Sequence, residues 1–310
     1  MLKYIGKRIL LMIPVMIGIS FIIFSIMNLT PGDPARLILG ENATLSDVEQ
    51  LREEMGLNDN FFIRYLNYIK NALHGNFGNS YRTNLPVGEE LAARFPNTLK
   101  LAFWGMTLAV IIGIPVGIIS AVKQYSIIDG MVTAVSLFLT SIPGFWLGLM
   151  LILIFALNLD LLPATGVDTW KHFILPSITL SANTMATVIR MTRSTMLEVI
   201  RQDYIRTARA KGAGENKVIF KHALKNALLP VVTIIGINFG IQLGGAIITE
   251  TVFAMPGLGT LMITSVRMKD TPMVMACIIF VALLAGLINL AVDILYTYID
   301  PRIKSQYVKA

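Results

Sequence analysis

The chain has 310 residues, of which 55% are hydrophobic and only 15% charged, and its net charge is +7. Mean hydropathy is +0.67. Soluble domains carry about 25% charged residues, so lipid is the solvent for most of this chain, and its basic total is read by distribution rather than as a nucleic-acid signal. A single cysteine, Cys277, excludes an internal disulfide, and His74, His172 and His222 stand far apart.

A bilayer core about 30 Å thick takes roughly 20 apolar residues at about 1.5 Å each. Six stretches meet that length: 9–29, 99–122, 131–157, 174–199, 227–249 and 272–298. Lys3, Lys7 and Arg8 precede the first, which is too long for a secretory h-region and is followed by no A-x-A-like site, so it reads as a signal-anchor. Pro14, Pro115 and Pro143 fall inside spans, where packed neighbours tolerate a bend. Residues 30–97 form the one sizeable polar segment. There "SDVE", Ser46 to Glu49, has capping-box spacing ahead of Leu51, Met55 and Leu57. Phe62, Leu66, Ile69 and Leu73 then predict one face of a second helix, and the segment reads as a small helical cap over the outer mouth or as a spacer.

Orientation follows from Lys and Arg. With the N-terminus in the cytoplasm, six spans return the C-terminus there, and that side collects 16 Lys/Arg, nine of them between Arg190 and Lys225. The other side collects 10 Lys/Arg over a longer stretch, with 13 of the 19 acids.

No G-x-x-x-x-G-K-[ST], H-E-x-x-H or G-x-S-x-G occurs. The chain therefore shows neither a P-loop nor the commonest zinc and serine hydrolase signatures, and it reads as a non-enzyme without a cofactor or metal of its own. Glu250, Asp293 and Arg190 stand near span ends and read as interfacial anchors, which leaves little for a proton relay. In the fifth span Gly236, Gly240 and Gly244 make a small-residue ridge, with Asn238 and Gln242 on the other side. In the fourth, Ser177, Ser181 and Thr184 form a polar stripe beside Asn183 and Thr187. Two readings stand: these helices border a hydrated path, with Ser181, Thr184, Asn238 and Gln242 along it, or they hydrogen-bond to each other.

The loop between those spans carries pattern as well as charge. Met196, Ile200, Tyr204 and Ala208 recur every fourth residue, while Arg206, Arg209 and Lys211 point elsewhere. The spacing predicts a helix leaving the fourth span and ending at Gly212 or Gly214, then a second over about 215–226 leading to Leu229-Pro230 and the fifth span. Such an elbow serves either as a handle for another protein or as an amphipathic hairpin on anionic lipid, and the residue chemistry leaves both open.

"RTARAKGAG" followed by "NALLPV" resembles the EAA-type loop of ATP-binding-cassette importer permeases. "PGDPA", "GLNDNFFIRYL", "GNFGNSY", "SIPGFWLGLMLILIF", "ETVFAMPGLG" and "DILYTYIDPRI" extend the resemblance over nearly the whole chain, to the B-type subunit of the dipeptide/oligopeptide/nickel branch. The usual Glu of the loop is Arg206 here, the turn glycine, Gly212, is kept, and the stretch from Gly212 to Pro230 is longer than in many importers. The resemblance implies an all-α polytopic membrane protein with a type I-like permease fold. It divides the chain into an N-terminus with first helix (1–29), an extracytoplasmic helical segment (30–97) and a five-helix core (98–310) with its coupling loop at about 201–230. It also implies a second, C-type permease, two cytoplasmic ATPases that hold ATP and Mg, an extracytoplasmic binding protein, and no nucleic acid. Tyr204, Arg206, Thr207, Ala208, Arg209, Ala210, Lys211, Gly212, Leu229 and Pro230 are then the ATPase-coupling residues. The implied cargo is a di- or oligopeptide, with nickel, a metal chelate, glutathione or a sugar-like solute as alternatives. A stand-alone intramembrane enzyme and an ion-driven transporter or channel are the readings from other classes.

Overall fold

The computed structural model describes residues 2–40 and 42–299, without the side chains of residues 2–4, 245, 293 and 295–299. The expectations placed on Asp293 as an anchor, on the C-terminal cations and on the closing motif lie outside the described residues. In chain order the helices are α1 (Leu2–Leu29), α2 (Pro34–Leu39), α3 (Leu45–Glu54), α4 (Phe61–Leu73), α5 (Val87–Val122), α6 (Ile127–Ser141) and α7 (Gly144–Leu151). They continue with α8 (Ile174–Ile200), α9 (Asp203–Ala210), α10 (Glu215–Lys217), α11 (Leu224–Val252), α12 (Leu258–Arg267) and α13 (Thr271–Ile299). Wide π-type turns follow α7 (Ile152–Asn158) and α10 (Val218–Ala223).

Among the described residues, five helices are long and apolar enough to cross a membrane, and the third stretch of the sequence is a bent pair. Pro143 accounts for the bend: Ile142 before it takes an extended backbone, and α6 and α7 meet at 101°. A continuous span over 131–157 is therefore replaced by two shorter helices.

The chain forms two compact units, one of Leu99–Met255 with the chain from Ala285, the other of Leu2–Thr98 with Pro256–Leu284. In the first, α8 is the central helix, and small residues set how closely its neighbours approach. A Cβ on Gly117 of α5 would lie 2.6 Å from the Cβ of Thr192 on α8, and one on Gly236 of α11 would lie 2.1 Å from Val292 Cγ2 on α13. Backbones this close gain dispersion contacts that larger side chains would forbid. Gly236 and Gly240 of the predicted ridge thus face α13, at Val292 and Ala285. Glu250 is 1% exposed, so it is a buried carboxyl and not an interfacial anchor.

In the second unit α4 packs on α1. Phe24 and Tyr65 are buried with Met275, Phe21 meets Tyr65 edge-on at 5.3 Å, and the Tyr65 hydroxyl donates to the Ile17 carbonyl at 3.0 Å. The inward face of α4 is thus Phe61, Tyr65, Tyr68 and Ile69. Of the face predicted from the sequence only Ile69 turns inward; Phe62, Leu66 and Leu73 are exposed. Both stripes are apolar, and the inward one is selected by aromatic partners on α1 that local periodicity does not see. The cap of α3 is likewise Thr44, whose Oγ1 accepts the Asp47 amide at 3.2 Å, two residues before the predicted Ser46. Further along, the Thr98 hydroxyl accepts the Leu258 amide at 2.8 Å, and the Asn97 amide donates to the Pro256 carbonyl at 2.9 Å. These bonds hold the "PGLG" turn. Asp270 is buried, caps α13 through the Met273 amide and accepts from Ser80 of the "GNFGNSY" stretch.

Candidate functional site

The basic loop folds as an elbow on a small hydrophobic core. Helix α8 stops at Ile200, and Arg201 and Gln202 make a break from which α9 starts, Gln202 being its N-cap in extended backbone. Because of this break the predicted four-residue period holds only in part: Met196 is buried and Ile200 and Ala208 pack on the same core, but Tyr204 is 42% exposed, and the anchor of α9 is Ile205, fully buried. Ile205 packs with Met196, Val218, Ile219, Ala223 and Ala227, and Ala208 and Ala213 lean on the same core. Burying an isoleucine this completely contributes about 2 kcal/mol, enough to hold an eight-residue helix that would not form alone.

The far end of α9 turns at Gly212, whose φ of +79° is a left-handed conformation, and the Gly212 amide donates to the Arg209 carbonyl at 2.9 Å. Open space surrounds the site of its missing Cβ, so the glycine is required by the backbone and not by crowding within the chain. Arg209 donates from Nε and Nη2 to Glu215 at 3.0 and 2.5 Å, which ties the last turn of α9 to the first of α10 and raises the Arg209 pKa through that carboxylate. The Asn226 amide donates to the Tyr204 hydroxyl at 2.7 Å. Beyond α10 the predicted second helix over 215–226 is instead a short turn of helix, a π-type turn and the start of α11, which continues through Pro230 to Val252.

Of the predicted loop residues, Tyr204, Arg206, Thr207, Arg209, Ala210, Lys211 and Gly212 are exposed together on the elbow. Among the described residues Arg206 pairs with Asp203, at 3.5 Å, with both side chains in solvent, a pair of little energetic weight. Leu229 is half-buried and Pro230 exposed, both within α11 and away from the tip.

A clamp stands above this elbow that sequence reasoning did not single out. Arg193 of α8 donates from Nε and Nη2 to the two carboxylate oxygens of Asp129 at 2.6 and 2.8 Å. Asp129 is 4% exposed and also accepts from the Ser120 hydroxyl at 2.6 Å and the Tyr125 amide at 3.0 Å. One carboxylate thus joins the end of α5, the start of α6 and the last turns of α8 in a bidentate, fully hydrogen-bonded arrangement. The sequence signal was Ser126-x-x-Asp129, a helix start whose acid is apolar-flanked; Arg193 lies 64 positions on.

The polar seam of α8 and α11 is also assembled. Gln242 Nε2 donates to Thr184 Oγ1 at 3.0 Å, both side chains being buried. Ser181 is fully buried and donates to the Ile178 carbonyl at 3.0 Å. Asn238 is half-buried and donates to the Ile234 carbonyl at 2.7 Å. The Gln242 Oε1 has no hydrogen-bond donor and faces Gly105 of α5.

Comparison with known proteins bears on all of this. Residues 113–305 match the family described as binding-protein-dependent transport system inner membrane component, and residues 1–102 match its N-terminal membrane component. The chain belongs to that family. As such it is a multi-pass inner-membrane transport permease and not a catalytic enzyme. It is 45% identical to the dipeptide transport system permease protein DppB of Alkalihalophilus pseudofirmus, across 98% of this chain and 100% of that one. It is 44% identical to the glutathione transport system permease protein GsiC of Escherichia coli, across 98% and 99%. Among solved structures, a chain of the MetNI methionine ABC transporter in an inward-facing conformation superposes with a TM-score of 0.58 at 23% identity, over 68% of this chain and 96% of that chain. A chain of an amino acid ABC transporter with histidines gives 0.50 at 19%, over 69% and 94%. These likenesses show the fold alone, an ABC type I permease-like one.

Proposed function

We propose that this chain forms one membrane-spanning half of an ATP-driven peptide importer, and that the α9 elbow is its handle for an ATPase on another chain. The observation that carries the reading is the division of α9: Ile205 anchors one side in the chain's own core, and the other side presents Arg206, Lys211 and a glycine turn to solvent. A helix built to lie on lipid would expose its apolar side instead. Tyr204, Thr207, Ala208 and Ala210 complete the seat, Arg209 braces it from within, and the continuous helix through Leu229 and Pro230 carries its movement into the spans. ATP and Mg are held by the partner ATPases, of which two are required, with a C-type permease as the other half and an extracytoplasmic binding protein delivering cargo.

In this reading the bent pair counts as one span, giving six, and both termini face the cytoplasm, which the 16 Lys/Arg on that side support. Residues 30–97 then stand outside, and residues 98–310 are the core with its coupling loop. The path runs by the α8–α11 seam, where Asn238 is the half-buried amide and Ser181, Thr184 and Gln242 stiffen the wall. Cargo is a short peptide. Glutathione, itself a small peptide, is the second reading, because one of the compared relatives carries that name.

The test is ATP hydrolysis by the reconstituted complex, with and without binding protein and peptide, for wild type and Gly212→Val. A β-branched residue at φ +79° costs at least about 1 kcal/mol and reshapes the tip. The expected result is loss of peptide-stimulated turnover or of the ATPases themselves; a fully active variant refutes the handle.

A further inference from the structure

The end of α1 and the first turns of the polar segment enclose a cavity of about 190 Å³ that the transport reading does not use. Three cations line it, Arg52, Arg64 and Lys269, against one carboxylate, Asp33. Only Arg52 reaches that carboxylate, at 3.3 Å. Arg64 donates to Asn28 Oδ1 at 2.9 Å and to the Leu57 carbonyl at 3.5 Å, and Lys269 donates to the Thr30 carbonyl at 3.2 Å. Neutral oxygens meet both, so a net positive charge is left in a concave, half-buried site, where an anion is attracted far more strongly than on an open surface.

The "PGDPA" motif builds this cavity. Asp33 caps α2 through the Ala35 amide at 3.1 Å while holding Arg52. Gly32, at φ +120°, has no Cβ, and a Cβ there would lie 2.3 Å from the ammonium nitrogen of Lys269. The motif therefore makes room for the lysine to enter.

Position identifies the anion. The apolar run from Ile9 to Leu29 has the length of the hydrocarbon core, about 30 Å, so the cavity at its end opens where the headgroup layer begins. Directly below, Phe21, Ile22 and Ile26 of α1 are exposed, a surface along which acyl chains lie. We propose that this cavity binds the phosphate of an anionic phospholipid, with Arg64 and Lys269 as its charged contacts and the acyl chains against α1. Guanidinium and ammonium groups at a headgroup level are the chemistry such phosphates take. The site depends on α1 crossing the bilayer and not on the coupling role of α9.

The complex, purified with its partner subunits and stripped of lipid, is titrated with phosphatidylglycerol or phosphatidylcholine and read by native mass spectrometry. Wild type is expected to prefer phosphatidylglycerol, and the preference to fall about fivefold for each of Arg64→Gln and Lys269→Gln, with Lys269→Arg restoring it. Unchanged subunit composition and elution volume establish that the variants are folded. Three results overturn the proposal: a preference that survives the double substitution, equal protection of the wild type against heat by inorganic phosphate alone, or intact lipid preference with loss of binding-protein association, which assigns the cations to a carboxylate on that protein.

Discussion

Of the short helices between spans, α4 and α9 make an instructive pair, each packed on one side. On α9 the packed side is Ile205 and the free side is polar and basic; on α4 the packed side is aromatic and the free side, with Phe62, Ile63, Leu66 and Leu73, is again apolar. The difference teaches what each free side is suited to meet. A basic face with a glycine turn suits a protein surface with matching acids. An apolar face on a helix docked against a membrane-spanning helix suits lipid or another apolar helix. Amphipathicity alone would have treated the two alike.

The largest expected effect breaks the anchor of α9. Ile205→Asp buries a carboxylate with no partner in its small core, a loss of about 3 kcal/mol or more, so the chain should fail to accumulate with its ATPases when co-purified from membranes. A stable, fully assembled variant would mean that α9 is not held by its core.

The clamp comes next. Arg193→Met leaves the Asp129 carboxylate buried without its cation, and the purified complex should melt at a clearly lower temperature, a loss of about 3 kcal/mol. Adding Asp129→Leu should recover much of that, because the strained member is then removed as well. If the double variant is worse than the single, the pair is stabilising in its own right.

The smallest effects separate the two free sides. Arg206→Ala and Leu66→Ala both touch exposed positions, and each should leave thermal stability within about 0.5 kcal/mol. Only Arg206→Ala should weaken retention of the ATPases, by severalfold in pull-down from detergent. Equal retention by both variants removes the distinction drawn between α9 and α4.

How legible this was depended on the range of the interaction. Apolar runs, the basic loop and its glycine turn are local, and each could be read directly. Pro143 marks the break between α6 and α7, but the size of the bend, 101°, has no signature in the local pattern. The stop of α8 at Ile200 carries neither glycine nor proline, so the periodicity gives Tyr204 the inward place that Ile205 takes. Asp129 and Arg193 find each other across 64 positions, and the inward face of α4 is chosen by Phe21 and Phe24 on α1. Pairings of that kind have no signature within a window of a single helix. The residues proposed for coupling are named by the order of motifs, while the seam residues Thr184 and Gln242 stand out by polarity and prove to be each other's partners.

The wide turn at Val218–Ala223 has an evolutionary consequence. A π-type turn holds one residue more than the α-helix it interrupts, so losing one, for instance the exposed Lys221, would let it close to regular geometry with every later side chain of α11 kept on its present face. The same deletion inside α11 would rotate everything beyond it by about 100° and turn Gln242 away from Thr184. The connection between the elbow and the span can therefore lose one residue here while the faces of α11 stay in phase.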